Sequence, residues 1–140
     1  MRRFAFTLLE VVIVLALAGL LAALAVPRFS ALRDSASVRA AMADLGAAFS
    51  AARQAAITRR TVVAVVVDTA SGAVAVRSAA GTLLRHELHA AYGIVLGCNR
   101  DSAVYDARGL GYGLSNLTLT IRRGAIVDTL TMSRMGRVRW

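Results

Sequence analysis

Three features of this 140-residue sequence predict an α+β fold, one long N-terminal α-helix followed by a small, mainly antiparallel β-sheet head. Residues 6–26 form an apolar run broken only by Glu10. Residues 28–60 are Ala-rich, with apolar side chains recurring every three or four positions. Beyond residue 60 come short β-branched runs separated by Gly and Ser. The 57% hydrophobic content is high for an ordinary soluble domain, and part of the excess sits in the first run.

The first run is long enough for a helix of about 20 residues to cross a bilayer. A secretory signal would have the same basic start, Arg2 and Arg3, with Ala23-Leu24-Ala25 as its small-x-small site. A signal or a simple anchor leaves Glu10 unexplained, because an ionised carboxylate inside an apolar helix costs about 2–3 kcal/mol. A cut between Ala5 and Phe6 would supply a partner, an α-amino group one helical turn before Glu10. Beside a cation, in the first turn of a helix, the carboxylate is cheaper to bury. The cation could equally belong to a neighbouring subunit, which makes the acid a register mark for assembly.

The stretch FTLLEVVIVLALAGLLAALAVP resembles the prepilin-type cleavage and methylation motif of type IV pilins and type II secretion pseudopilins. In that family a short basic leader ends in Gly, the mature chain begins with Phe, and its fifth residue is Glu. Here Met1 to Ala5 stand as the leader, with Ala5 in the Gly position, and Glu10 falls fifth from Phe6. The resemblance implies that a prepilin peptidase cuts between Ala5 and Phe6 and methylates Phe6. It also implies a transmembrane and filament-core helix over 6–27, with Glu10 and Pro27 serving assembly. Pro27 matches a proline that kinks pilin helices.

From 28 to 60 the spacing of Phe29, Leu32, Val38, Met42, Leu45, Phe49, Ala52 and Ala56 predicts an amphipathic helix. It continues the first segment past Pro27 with a kink or local loosening. Phe6 to Arg59 as one helix would be roughly 80 Å long. The head, 61–140, opens with T61VVAVVVD68, a TASG turn and A73VAVR77. Further strands are expected near 83–88, 94–98, 116–122 and 125–132, with a loop or bulge at Leu110 to Gly113.

A long N-terminal helix followed by a small antiparallel head resembles the GspH/FimT family of minor pilins and pseudopilins. That resemblance implies a minor pseudopilin of the type II secretion pseudopilus. It would be single-pass in the bacterial inner membrane, head in the periplasm, with the prepilin peptidase, membrane lipid and other pseudopilins as partners.

No enzyme chemistry is legible. In R85HELH89 the two histidines lack the His-Glu-x-x-His spacing and on a strand would face opposite ways, so no metal site is expected. No nucleophile elbow or phosphate loop appears, and no cofactor is implied. The single Cys98 reads as a small buried apolar residue.

All 17 basic residues are Arg, against 8 acidic residues, a balance that favours anionic partners. Arg122, Arg123, Arg134, Arg137 and Arg139 cluster near the C-terminus, opposed only by Asp128. If R137VRW140 is extended, Arg137 and Arg139 face one way while Val138 and Trp140 face the other. Two guanidinium groups on one face could grip successive phosphates. The alternative is a charged edge strand that discourages aberrant pairing. Gly136-Arg137-Val138-Arg139 resembles the Gly-Arg-x-Arg element with which FimT-like minor pilins bind DNA in natural transformation. That resemblance implies DNA as the alternative partner.

Overall fold

A computed structural model describes residues 7–113 and 116–140, with the backbone alone at 25–27. The expected leader, residues 1–5, and Phe6 lie outside the described residues. The chain divides into two units, residues 1–33 and 34–140. One helix, α1 (Leu8–Arg59), contributes to both and runs on through the position of Pro27.

In the first unit α1 is long and apolar enough to cross a membrane, and none of that apolar window is buried. Leu8, Leu15, Leu21 and Leu24 are each about two-thirds or more exposed, as are Phe29 and Leu32. The expected apolar stripe therefore divides. Its first two members are bare, and the six from Val38 to Ala56 are buried.

The second unit holds residues 34–59 of α1, eight strands and a short helix. The strands are β1 (Val63–Asp68), β2 (Ala73–Ser78), β3 (Gly81–Glu87), β4 (Val95–Cys98), β5 (Ser102–Tyr105), β6 (Leu117–Arg123), β7 (Ile126–Met132) and β8 (Val138–Arg139); α2 is Leu88–Tyr92. They form two antiparallel four-stranded sheets, ordered β3-β2-β1-β5 and β4-β6-β7-β8.

Alternation with a period of two puts Val63, Val65 and Val67 on the inner face of the first sheet, and Leu117, Leu119 and Ile121 on that of the second. These residues share one core with Val38, Met42, Leu45 and Phe49 of α1. The alanines at 41, 48, 52 and 56 are almost fully buried, and their small size lets the sheets lie close to the helix.

Two elements differ from the expected pattern. The strand expected to reach Leu88 gives way there to α2, because Leu88 turns into the core, the His89 N–H donates to Gly72 O at 3.1 Å, and Gly93 closes the turn at φ +63°. Strand β5 carries only two inward side chains, Ala103 and Tyr105, too few for a periodic signal.

The two sheets meet at the edge strands β5 and β8. A β-carbon on Gly136 would stand 3.0 Å from the Tyr105 ring and 3.1 Å from both Gly109 O and Gly111 N, and residue 136 has φ +74°. Only glycine fits.

Candidate functional site

The first candidate segment is the start of α1. Thr7 precedes the helix, and its Oγ1 accepts a hydrogen bond from the Glu10 N–H at 3.2 Å; its carbonyl accepts from Glu10 at 3.1 Å and Val11 at 3.2 Å. Thr7 thus satisfies N–H groups that have no partner inside the helix. Glu10 lies in the first turn, where the helix dipole favours a carboxylate, and its side chain is exposed. Thr7 was not among the expected site residues, although Thr-x-x-Glu is the pattern of a capping box.

The second candidate lies at the C-terminal hairpin. A type of tight turn over 133–137 joins β7 to β8: Ser133 N–H donates to Arg137 O at 2.8 Å and Gly136 N–H to Ser133 O at 2.9 Å. Alternation then separates the side chains. Arg137 and Arg139 line a pocket of about 410 Å³ with Asn116, Thr131, Met132 and Ser133. Val138 and Trp140 line a different cavity, about 200 Å³, with Phe49, Arg53 and Tyr105. Trp140 rests on α1, its ring atoms 2.8–3.3 Å from where a β-carbon on Gly46 would stand. One face of the strand therefore leans against α1, with Trp140 still 65% exposed, and the other presents two cations.

The five expected arginines fare differently. Arg134 is exposed on the same hairpin turn as the pocket. Arg122 is exposed on the outer face of the second sheet, in one row with Val95 and Val127. Four residues further along β7, Thr131 pairs with Arg139, so Arg122 stands about 13 Å from the pocket along the strands. Arg123 turns the other way. Its Nε donates to Asp34 Oδ1 at 2.8 Å, and its Nη1 donates to Ser37 Oγ at 2.8 Å and to the Tyr92 carbonyl. That guanidinium clamps the β6–β7 turn and the end of α2 to α1.

The histidines do not converge. His86, on β3, has Nδ1 3.8 Å from Asp44 Oδ2, whereas His89, in α2, has Nδ1 2.8 Å from Ile94 O. Asp44 accepts a stronger bond from the Tyr92 hydroxyl at 2.7 Å, which raises the Tyr92 pKa. Among the described residues no three His, Cys, Asp or Glu side chains are grouped to hold a metal ion. Cys98 is partly buried near Asp101, and desolvation pushes its thiol pKa up, away from nucleophilic chemistry. Burial likewise pushes Tyr105 up to about 12, and its hydroxyl donates to Gly136 O at 3.4 Å.

No protein-family model matches this chain, and no curated protein matches it. Among solved structures, the type IV minor pilin FimU of Pseudomonas aeruginosa strain PAO1 is similar in two crystal forms. In the P21 form the TM-score is 0.62 at 18% identity, covering 73% of this chain and 86% of that one. In the P65 form it is 0.60 at 16% identity, covering 73% and 90%. The fold is that of a type IV pilin. In this pilin fold the long helix carries the exposed apolar segment, and the two sheets wrap its other half.

Proposed function

We infer that this pilin-like chain is a minor pseudopilin, a structural subunit of the type II secretion pseudopilus. One observation carries the reading. A pilin-type head is joined to an apolar helical segment that the chain itself leaves wholly exposed, with Glu10 its one charged residue between positions 8 and 24. Such a surface is stable only under lipid or against other apolar helices, and a filament of like subunits in an inner membrane supplies both in turn. In this reading a prepilin peptidase cuts between Ala5 and Phe6 and methylates Phe6. Glu10 then meets an α-amino group at assembly, Pro27 shapes the filament-core helix, and the head stands in the periplasm. The role is structural, with no catalysis by the chain itself.

Sequencing the mature N-terminus tests it. An N-methylated Phe6 supports the account, and a chain beginning at Val26 overturns it.

A second reading is favoured by the pocket that Arg137 and Arg139 share, whose donors suit phosphate oxygens. In it the chain is a minor type IV pilin that takes up DNA. Full-length protein in detergent should then retain duplex DNA at low salt, and Arg137→Gln with Arg139→Gln should abolish retention. Retention equal to the wild type in the double variant removes this reading.

A further inference from the structure

Charge in the second unit is polarised by the topology. The register pairs Val63 with both Ser78 and Tyr105, and Leu117 with Met132. The C-terminal end of α1, the 106–113 loop and the β7–β8 turn therefore gather at one end of the head. Direct contacts agree: a β-carbon on Gly109 would stand 2.7 Å from Ile57 and 3.2 Å from Arg53, and Gly136 packs on that same loop.

Arg53, Arg59, Arg60, Arg108 and Arg134 are all exposed there, and among the described residues of these segments Asp106 is the one carboxylate. Asp106 is itself engaged by Arg108 at 2.9 Å. The carboxylates of Asp34, Asp68, Glu87 and Asp101 fall toward the opposite end, where the strands of the first sheet turn and α1 enters the head.

Interleaved with the five arginines are exposed apolar side chains, Ile57 at 42%, Met135 at 65% and Tyr112 at 62%. Aliphatic groups gain nothing against a phosphodiester backbone. Arginine set among aliphatics and a tyrosine is the composition of a surface that sits at a lipid headgroup layer. Arg60 adds an independent sign. It ends α1 in the left-handed region, φ 49°, with Thr61 N–H donating to Ala56 O at 3.2 Å, a position where glycine is the cheaper residue.

We propose that this end of the head docks on an anionic lipid surface. Arg53, Arg59, Arg60, Arg108 and Arg134 meet the headgroup phosphates, and Ile57, Tyr112 and Met135 enter the interface. The contact adjoins the pocket of Arg137 and Arg139 through the 133–137 turn, and it does not depend on either functional reading above.

The test uses full-length protein held by its apolar helix in neutral phosphatidylcholine nanodiscs, mixed with vesicles and sedimented. Vesicles containing phosphatidylglycerol should retain it at low salt, pure phosphatidylcholine vesicles should not, and high salt should release it. At about fivefold per arginine, Arg59→Gln with Arg60→Gln should weaken retention more than tenfold. Arg85→Gln, beside Asp68 and Glu87 at the opposite end, should leave it unchanged, and Ile57→Ser with Met135→Ser should weaken it. Arg60→Gly, which suits the backbone there, repeats the test free of any folding defect.

Full retention by the Arg59/Arg60 variant overturns the proposal. So does release by inorganic phosphate at matched ionic strength, which would indicate a single-phosphate site. Binding of duplex DNA that needs Arg59 and Arg60 but is indifferent to the serine substitutions would assign the surface to nucleic acid and overturn it equally.

Discussion

Trp140 lies against Gly46, the indole occupying the space that a β-carbon at position 46 would need. Gly46 interrupts an alanine-rich helix, where it costs about 1 kcal/mol relative to alanine. In a Trp140→Ala background, Gly46→Ala should therefore stabilise the head by about 0.5–1 kcal/mol. With Trp140 present the methyl group displaces the indole, so the gain shrinks or reverses. Thermal melts of the four variants read the coupling. The fluorescence of Trp140, the one tryptophan in the chain, should shift to the red in Gly46→Ala. An unshifted spectrum would mean that the added methyl group does not displace the indole.

Arg122 and Arg123 are neighbours with opposite expectations. Arg123→Gln leaves the Asp34 carboxylate, three-quarters buried, without its cation, and the Ser37 and Tyr92 acceptors without their donor. A loss of about 2–3 kcal/mol is expected. Arg122→Gln touches nothing buried and should stay within about 0.5 kcal/mol of the wild type. Denaturant unfolding of the two variants should separate them clearly, and equal midpoints would contradict the clamp.

Glu10→Ala should leave membrane insertion intact or improved, since it removes a charge from the apolar segment, while impairing incorporation into filaments. Thr7→Ala should fray the first turn at a cost of about 1 kcal/mol, and Thr7→Ser should restore it. Fractionation of membrane and filament pools reads both effects. Unchanged incorporation of Glu10→Ala would remove the assembly role.

Acid should act through two turns. The Leu110 amide, with the side chain and amide of Arg108, holds the Asp106 carboxyl below its ordinary range; the Ser71 hydroxyl and amide do the same for Asp68. A carboxyl depressed in the folded state stabilises it above the ordinary pKa. That stabilisation is lost as pH falls from there through the lowered value. The melting temperature should thus carry their full, pH-independent contribution between neutrality and about pH 4, and decline below. Asp106→Asn should melt lower at neutral pH and show a shallower acid decline. An acid limb identical to the wild type would assign the decline to other carboxyls.

How much of this was legible depended on whether a feature is local. The apolar run, the amphipathic stretch from Val38 to Ala56 and the strands rich in branched residues are periodic patterns within one segment, and they predict the α+β fold directly. The alternation at Arg137-Val138-Arg139-Trp140 is equally local, and its two faces line separate cavities. What lay beyond reach was pairwise. Nothing in the dipeptide Arg122-Arg123 says that one guanidinium stays exposed while the other finds Asp34, which is 89 positions away. Gly136 reads as a turn residue, but its need to pass Tyr105 and the 109–111 loop belongs to the packing of two sheets. The gathering of arginines at one end follows from strand order, which residue spacing along the chain does not contain.

The bond between Asp34 and Arg123 also sets an order in time. Residues 34–56 are synthesised first, yet the side chains that cover them on the second sheet, Leu119, Leu130 and Met132 among them, arrive more than sixty residues later. Until β6 and β7 exist, that half of α1 has an open apolar flank. Because pairings this distant are slow to form, the head stays unfolded well into its synthesis.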